Sequence, residues 1–265
     1  MNRSALTLRN GRPGTLDHAR GFSLIEMLIA VVIIMAVLGV VVQGIVKMQQ
    51  RGSVESSKVD TVQETRDFID QMVRDIHNVG YPPPKVNPSV GANCNGTDNA
   101  NVACGLIYFS PTQIKYEADL DGSGTVYQVW VQLVAGSNGK CPCILQRGAV
   151  TKTAALGGTA PTYFTEVNGV LNSGDGTGNA TYTISLAGSG SYSTYGTADV
   201  FSSLDSNGTT LNPVGTCTTA AACSSIRNLQ ITANVVPNFI DNATNTFPVT
   251  SITSKARLNN VSIGN

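Results

Sequence analysis

The hydrophobic positions divide the chain into three stretches. After a polar start, residues 22–46 form an almost unbroken apolar run, FSLIEMLIAVVIIMAVLGVVVQGIV. As a helix, the 25 residues of this run would extend about 37 Å at ~1.5 Å per residue. A bilayer's hydrocarbon core is about 30 Å thick. The run therefore predicts a helix that crosses a membrane over residues 22–46.

The helical pattern continues beyond the membrane run in amphipathic form. Apolar side chains recur every three or four positions, with charged residues between them. These apolar positions are Val54, Val59, Val62, Ile69, Met72, Val73, Ile76 and Val79. Gly80 and the prolines at 82–84 end the pattern, because glycine favours a helix C-terminus and proline cannot continue a helix. We therefore expect one long helix within residues 22–80.

From residue 81 to residue 265 the pattern changes to strands. Short apolar or alternating runs are separated by clusters of Gly, Asn, Ser and Thr. The predicted strands are 106–109, 113–118, 126–134, 143–146, 181–186, 226–236 and 250–258. Between 151 and 222 we expect long loops and short strands. One helix followed by strands predicts the α+β class, with an antiparallel sheet packed on the second half of the helix.

Charge adds an orientation to this scheme. The chain has 17 basic and 17 acidic residues, and this zero net charge argues against a nucleic-acid binder. Residues 1–21 nevertheless carry a net charge of +3, from Arg3, Arg9, Arg12 and Arg20 against Asp17. A basic stretch before an apolar run is a signal that keeps the first residues in the cytoplasm. With two histidines and no nucleophile motif, we expect no enzymatic activity.

One acidic residue interrupts the apolar run. Glu26 is the only charged residue between Phe22 and Val46, and a carboxylate at membrane depth is costly unless it is paired. A cut before Phe22 would create an amino group at the start of the same helix that could pair with Glu26. Residues 20–30, RGFSLIEMLIA, resemble the processing site of type IV pilins and of type II secretion pseudopilins.

This resemblance implies a processing step and an assembly step. Prepilin peptidase would remove residues 1–21 by cutting after Gly21, and Phe22 would be methylated at its new amino terminus. Glu26 would then pair with the terminal amine of a neighbouring subunit. The implied partners are the membrane before assembly, other pilins along the N-terminal helix, and the inner-membrane assembly machinery. The head would lie in the periplasm and then on a pilus at the cell surface.

Three further segments are similar to PilW-type minor pilins, at residues 71–81, 105–134 and 254–260. The resemblance therefore implies a minor pilin that acts in pilus initiation or in a tip complex. A type II secretion pseudopilin is an alternative within the same class. A signal-anchored periplasmic adhesin or ligand-binding module is an alternative from another class.

The cysteines all follow the membrane run: Cys94, Cys104, Cys141, Cys143, Cys217 and Cys223. An even number of cysteines in an oxidising periplasm predicts disulfides. Local pairs Cys94–Cys104 and Cys217–Cys223 would close two polar loops. A bond between Cys141 and Cys143 would bridge a single residue with strain, so either of them could pair elsewhere.

An acidic turn raises the question of a metal. Asp119, Asp121 and Ser123 alternate between two predicted strands, as in the first half of a calcium loop. The twelfth position of such a loop is Trp130, which excludes an EF-hand. One interpretation is a weak calcium site completed by Glu117 or a backbone carbonyl, and the other is a hairpin turn without metal. We expect no other cofactor.

Overall fold

The computed structural model describes residues 21–82, 100–136, 138–186, 192–212, 215–217, 223, 225–241 and 244–259. Its first element is one long helix, α1 (Leu24–Asn78). Two short helices follow later in the chain, α2 (Lys152–Leu156) and α3 (Ser193–Gly196). The chain forms two compact units, one ending at Gln49 and one beginning at Gln50, so α1 contributes to both.

The second unit is built on one antiparallel sheet. Its strands are β1 (Leu106–Ser110), β2 (Gln113–Ala118), β3 (Tyr127–Val134), β4 (Cys143–Thr151), β5 (Tyr163–Val170), β6 (Phe201–Leu204), β7 (Gly215–Thr216), β8 (Asn228–Val235) and β9 (Thr250–Arg257). They lie in the order β6-β8-β5-β4-β3-β2-β1-β7, with β9 also paired to β8. A long apolar helix followed by this curled antiparallel sheet is the predicted α+β, type IV pilin-like architecture.

The core of the second unit lies between the second half of α1 and the sheet. Four side chains of α1 are buried at helical spacing, Phe68, Ile69, Met72 and Ile76, and Val79 directly after the helix is also buried. They belong to one apolar cluster with the alternate positions of the central strands, such as Ile114, Val131 and Leu145. Burying this face stabilises the helix, since propensity alone contributes little.

The two backbone hydrogen bonds of Gly80 and Tyr81 join the segment directly after α1 to strand β2 and to the residue that follows β2. Gly80 N–H donates to the Glu117 carbonyl, and Asp119 N–H donates to the Tyr81 carbonyl, both at 2.9 Å. Gly80 has a φ of +79°, the left-handed conformation in which a helix commonly stops at glycine. The predicted end of the helix is therefore close to the observed one.

The structure corrects several local predictions. Residues 181–186 form no strand, because Ile184 makes only an isolated bridge with Cys141. Between 151 and 222, where we expected long loops and short strands, the structure has the short strands β6 and β7 but also the eight-residue strand β5. Val59 was expected on the buried face of α1, but 59% of its surface is exposed.

Candidate functional site: the N-terminal segment and its support

The residues around the predicted cut precede the helix. Gly21, Phe22 and Ser23 are outside regular secondary structure and exposed. Phe22 has 82% of its surface exposed, and no other part of the described chain lies within 4 Å of a Cβ built on Gly21. The peptide bond between Gly21 and Phe22 therefore lies in backbone that a protease can approach.

Glu26 has a structural partner at the start of the helix. Ser23 N–H donates to Glu26 Oε2 at 2.9 Å, and the Ser23 carbonyl accepts from Met27 N–H. This is one half of a capping box, in which an acidic residue three positions after the cap binds the cap's backbone N–H. The Ser-x-x-Glu spacing of residues 23–26 is the sequence signal for this interaction.

The position of Glu26 also suits an interaction with a new amino group. It lies in the first turn of α1, where the helix dipole favours a negative charge. An amine created at Phe22 would be next to Ser23, the residue whose N–H the carboxylate already binds. The same carboxylate can thus cap its own helix or bind a nearby cation.

The first half of α1 presents apolar side chains all round. From Leu24 to Val46 every large apolar side chain is exposed, with exposed fractions from 45% to 83%. The helix is long and apolar enough to cross a membrane by its length and composition. Such a surface is unfavourable in water, because each Å² of apolar surface that stays exposed to water costs about 25 cal/mol. It requires a lipid environment or other apolar helices as neighbours.

A buried polar cluster attaches the second half of α1 to the sheet. Asp75 Oδ2 accepts from Arg147 Nη2 at 2.7 Å and from the Tyr116 hydroxyl at 2.9 Å. Tyr116 is fully buried, and burial together with the Asp75 charge raises the pKa of its hydroxyl well above the usual value. These residues come from α1, β2 and β4, so the cluster connects three elements.

A second buried ion pair lies under α2. Lys152 Nζ contacts Glu117 Oε2 at 2.8 Å, and 1% and 5% of the two side chains are exposed. Lys152 also donates to the Val102 carbonyl, and Cys104 N–H donates to the same Glu117 oxygen. The Oε2 atom of Glu117 is therefore already bound by Lys152 and by the Cys104 N–H.

The acidic turn forms its own hydrogen bonds. The two carboxylate oxygens of Asp119 accept from Gly122 N–H and Gly124 N–H, both at 2.9 Å, and Asp121 Oδ1 accepts from Ser123 N–H. Among the described residues no group of three or more His, Cys, Asp or Glu side chains could hold a metal ion. The aspartates thus have a structural role in the turn.

The cysteines of the described residues are placed as follows. Cys217 is bonded to Cys223, as the local spacing suggested. Cys141 is bonded to Cys143, one of the pairings that the spacing left open. Cys104 is disulfide-bonded, while its predicted partner Cys94 lies outside the described residues.

Comparison with known proteins bears on the N-terminal segment. A family model described as "Prokaryotic N-terminal methylation motif" matches residues 16–42, which include Gly21, Phe22 and Glu26. No curated protein matches the chain significantly. No solved structure matches it significantly either.

The matched motif supports a place in the type IV pilin superfamily, and the long apolar helix followed by an antiparallel sheet is a type IV pilin-like architecture. Within this superfamily, the motif supports a subunit of the pilin or pseudopilin kind, processed by prepilin peptidase and assembled with other pilins. The motif points to a family of structural proteins. The apolar helix and the motif are consistent with a subunit anchored in the inner membrane.

Proposed function

We propose that this chain is a minor pilin of a type IV pilus that acts in pilus initiation or in a tip complex. The observation that carries the proposal is the exposed apolar surface of Leu24–Val46, which begins directly after the accessible Gly21–Phe22 bond and contains one acid, Glu26. The head, residues 81–265, is large for a repeating subunit, which favours a minor or terminal position.

The proposed mechanism is assembly through the helix. Cutting after Gly21 removes the +3 leader and creates the amine of Phe22, which is then methylated. Glu26 exchanges its hydrogen bond with Ser23 for an ion pair with the amine of a neighbouring subunit. A buried ion pair is a good determinant of register, since any other alignment leaves a charge unpaired in an apolar surrounding.

The processing step is tested by determining the N-terminus of the mature protein by mass spectrometry. We expect a chain that begins at methylated Phe22. The matched variant Gly21→Val should retain the leader, because a β-branched side chain hinders close approach to the backbone at the cut. A mature chain that begins at Met1 would contradict the processing and favour the signal-anchored alternative.

The assembly step is tested with Glu26→Gln, which keeps the size of the side chain and removes its charge. We expect normal membrane insertion and loss of the subunit from sheared pili. Gln43→Ala, a change at an uncharged polar position of the run, should leave incorporation intact. Normal incorporation of the Glu26→Gln subunit would refute the register pair. A wild-type subunit that is absent from pili but required for secretion would be a pseudopilin.

A further inference from the structure

A row of side chains crosses the face of the sheet that points away from α1. Strand register aligns Tyr108 of β1, Lys115 of β2, Trp130 of β3, Gly148 of β4 and Tyr163 of β5. Their neighbours in sequence, such as Ile114 and Val131, point into the core, so the row lies on the outward face. The four side chains of the row are partly exposed.

The row combines aromatic rings with a single cation. Lys115 Nζ lies 3.7 Å from the ring centroid of Trp130 and 5.4 Å from that of Tyr108. On the other side, the ring centroids of Trp130 and Tyr163 are 6.4 Å apart. At Gly148, between these two rings, a Cβ would lie only 2.8 Å from the Thr162 carbonyl oxygen. The aromatic rings therefore stay in contact across a position that admits no side chain.

Amide groups run alongside the aromatic row. Gln113, Gln132 and Gln146 are aligned across β2, β3 and β4 by the same register, and Gln113 donates to Gln132. Gln128 accepts from Trp130 Nε1 at 2.8 Å. Glutamine amides carry both donors and acceptors. The surface therefore offers flat apolar area next to groups that bind hydroxyls.

The charge of Lys115 is not balanced within the described residues. The ion pairs found there are those of Arg147 and Lys152, and no carboxylate lies within 4 Å of Lys115. Partial burial lowers the pKa of Lys115, because the charged form loses solvation. A ligand carboxylate would restore favourable interactions to this ammonium group, in the way that complementary charges select partners.

We propose that this row, Tyr108–Lys115–Trp130–Tyr163, binds an acidic glycan. A sugar carboxylate pairs with Lys115, the apolar face of the sugar ring packs on Tyr163 and on the part of Trp130 that Lys115 leaves exposed, and the glutamine amides bind hydroxyls. This binding activity goes beyond the proposed assembly function and does not depend on it.

A single-stranded nucleic acid would also use aromatic rings and cations. It requires a groove of several cations that follows the phosphate backbone. On the outward face of β2 to β5, as the structure describes it, Lys115 is the one cationic side chain. The charge pattern therefore favours a ligand with one localised carboxylate at this position over a polyphosphate.

The chain contains one tryptophan, Trp130, so its fluorescence reports on this surface alone. The full-length protein in detergent is titrated with tri-galacturonate and with the neutral galactotriose. We expect a saturable fluorescence change with the acidic trisaccharide and at least about tenfold weaker binding of the neutral one, the loss of one ion pair. Calorimetry gives the same comparison for variants that lack the tryptophan.

Two pairs of variants complete the test. Lys115→Gln and Trp130→Ala should each weaken binding of tri-galacturonate about tenfold or more. Their controls are Lys255→Gln, an exposed lysine on β9, and Phe164→Ala, an exposed aromatic residue at the opposite face of β5. Absence of saturable binding, equal affinity for galactotriose, equal losses in the control variants, or preferred binding of a single-stranded oligonucleotide would each overturn the proposal.

Discussion

Glu117 and Lys152 show how much of the head's stability depends on single side chains. Both charges are almost completely buried and only 2.8 Å apart. The ion pair itself is weak evidence of stability, since burying two charges costs solvation. Removal of one partner is different, because the other charge is then left unpaired in the core.

We therefore expect Lys152→Met to lower the free energy of unfolding by about 3–5 kcal/mol. The double variant Lys152→Met with Glu117→Gln should regain part of this loss, because no unpaired charge is left at this position in the core. Denaturant unfolding of the detergent-solubilised protein measures the difference, with the exposed Lys140→Met as control. If Lys152→Met lowered the free energy of unfolding as little as Lys140→Met, Glu117 would not depend on Lys152.

Tyr116 gives a prediction about pH. Its folded-state pKa is raised by burial and by Asp75, so the folded chain keeps the hydroxyl proton after the unfolded chain loses it near pH ~10. The stability that this hydroxyl contributes is thus present below pH ~10 and decreases as the pH rises toward the raised folded value, by up to ~1.4 kcal/mol per pH unit.

We expect Tyr116→Phe to lower the free energy of unfolding by about 1.5–3 kcal/mol at pH 7, since a hydrogen bond to a charged group is removed. Above pH ~10 the difference from the wild type should shrink. Unfolding free energies measured across the alkaline range for both proteins test this. A difference that stays constant with pH would contradict the raised pKa of Tyr116.

At the scale of elements, the sequence pattern predicts the long helix and most of the strands, but it does not predict every strand. Periodicity predicted α1 and its buried stripe, and alternation predicted β1 to β3, β8 and β9 within a few residues. Strand β5 was missed because its register with β4 shifts twice, between Cys143 and Leu145 and again between Leu145 and Gln146. The side chains of β5 therefore do not alternate regularly.

Long-range polar contacts were also beyond the sequence. Asp75 and Arg147 are 72 positions apart, and nothing local distinguishes Asp75 from its exposed neighbour Asp70. By contrast, the local signals at Gly21, Phe22 and Glu26 lie within six consecutive residues. The candidate site could therefore be predicted from the sequence, whereas the contacts that support the head required the fold.

The buried stripe of α1 gives a prediction at this scale. Met72 has no exposed surface, so Met72→Ala should lower the free energy of unfolding by about 2–5 kcal/mol through lost contacts and a cavity. Val59→Ala, on the same helix but exposed, should change it by less than about 0.5 kcal/mol. Denaturant unfolding compares the two variants, and equal effects would mean that the helix does not pack on the sheet as described.

The turn between β2 and β3 gives a prediction about calcium. Because both carboxylate oxygens of Asp119 already accept backbone N–H groups, we expect calcium and a chelator to give the same thermal midpoint. Asp119→Ala should lower that midpoint in either condition, because two turn N–H groups lose their acceptor. A midpoint that rises with calcium in the wild type and not in Asp119→Ala would instead establish the metal site.

At the scale of the whole molecule, the residues of α1 are divided between two compact units, with the boundary between Gln49 and Gln50. The part before Gln50 exposes its apolar side chains, and the part after it supplies one side of a core. The zero net charge of the whole chain, from 17 basic and 17 acidic residues, is thus an average over a basic leader, an apolar helix and a polar head.

This division predicts that residues 50–265 fold without the apolar helix. We expect the truncated chain to be soluble and monomeric and to unfold cooperatively, because both buried ion pairs and the apolar cluster lie within it. Circular dichroism and analytical ultracentrifugation test this, with the Met72→Ala form of the same chain as a destabilised control. Aggregation or non-cooperative melting of the unmodified fragment would contradict it.

The bonds that join Gly80 to strand β2, and Tyr81 to Asp119 directly after it, have a mechanical consequence. A force applied along α1 would reach the sheet through these two backbone bonds and through the Asp75–Arg147 pair one helical turn earlier. These attachments share the load, and β2 lies within the sheet with strands hydrogen-bonded on both sides. The helix is thus attached to the head at an inner strand. Tension along the helix is therefore distributed to the strands on both sides, and does not separate an edge strand from the sheet.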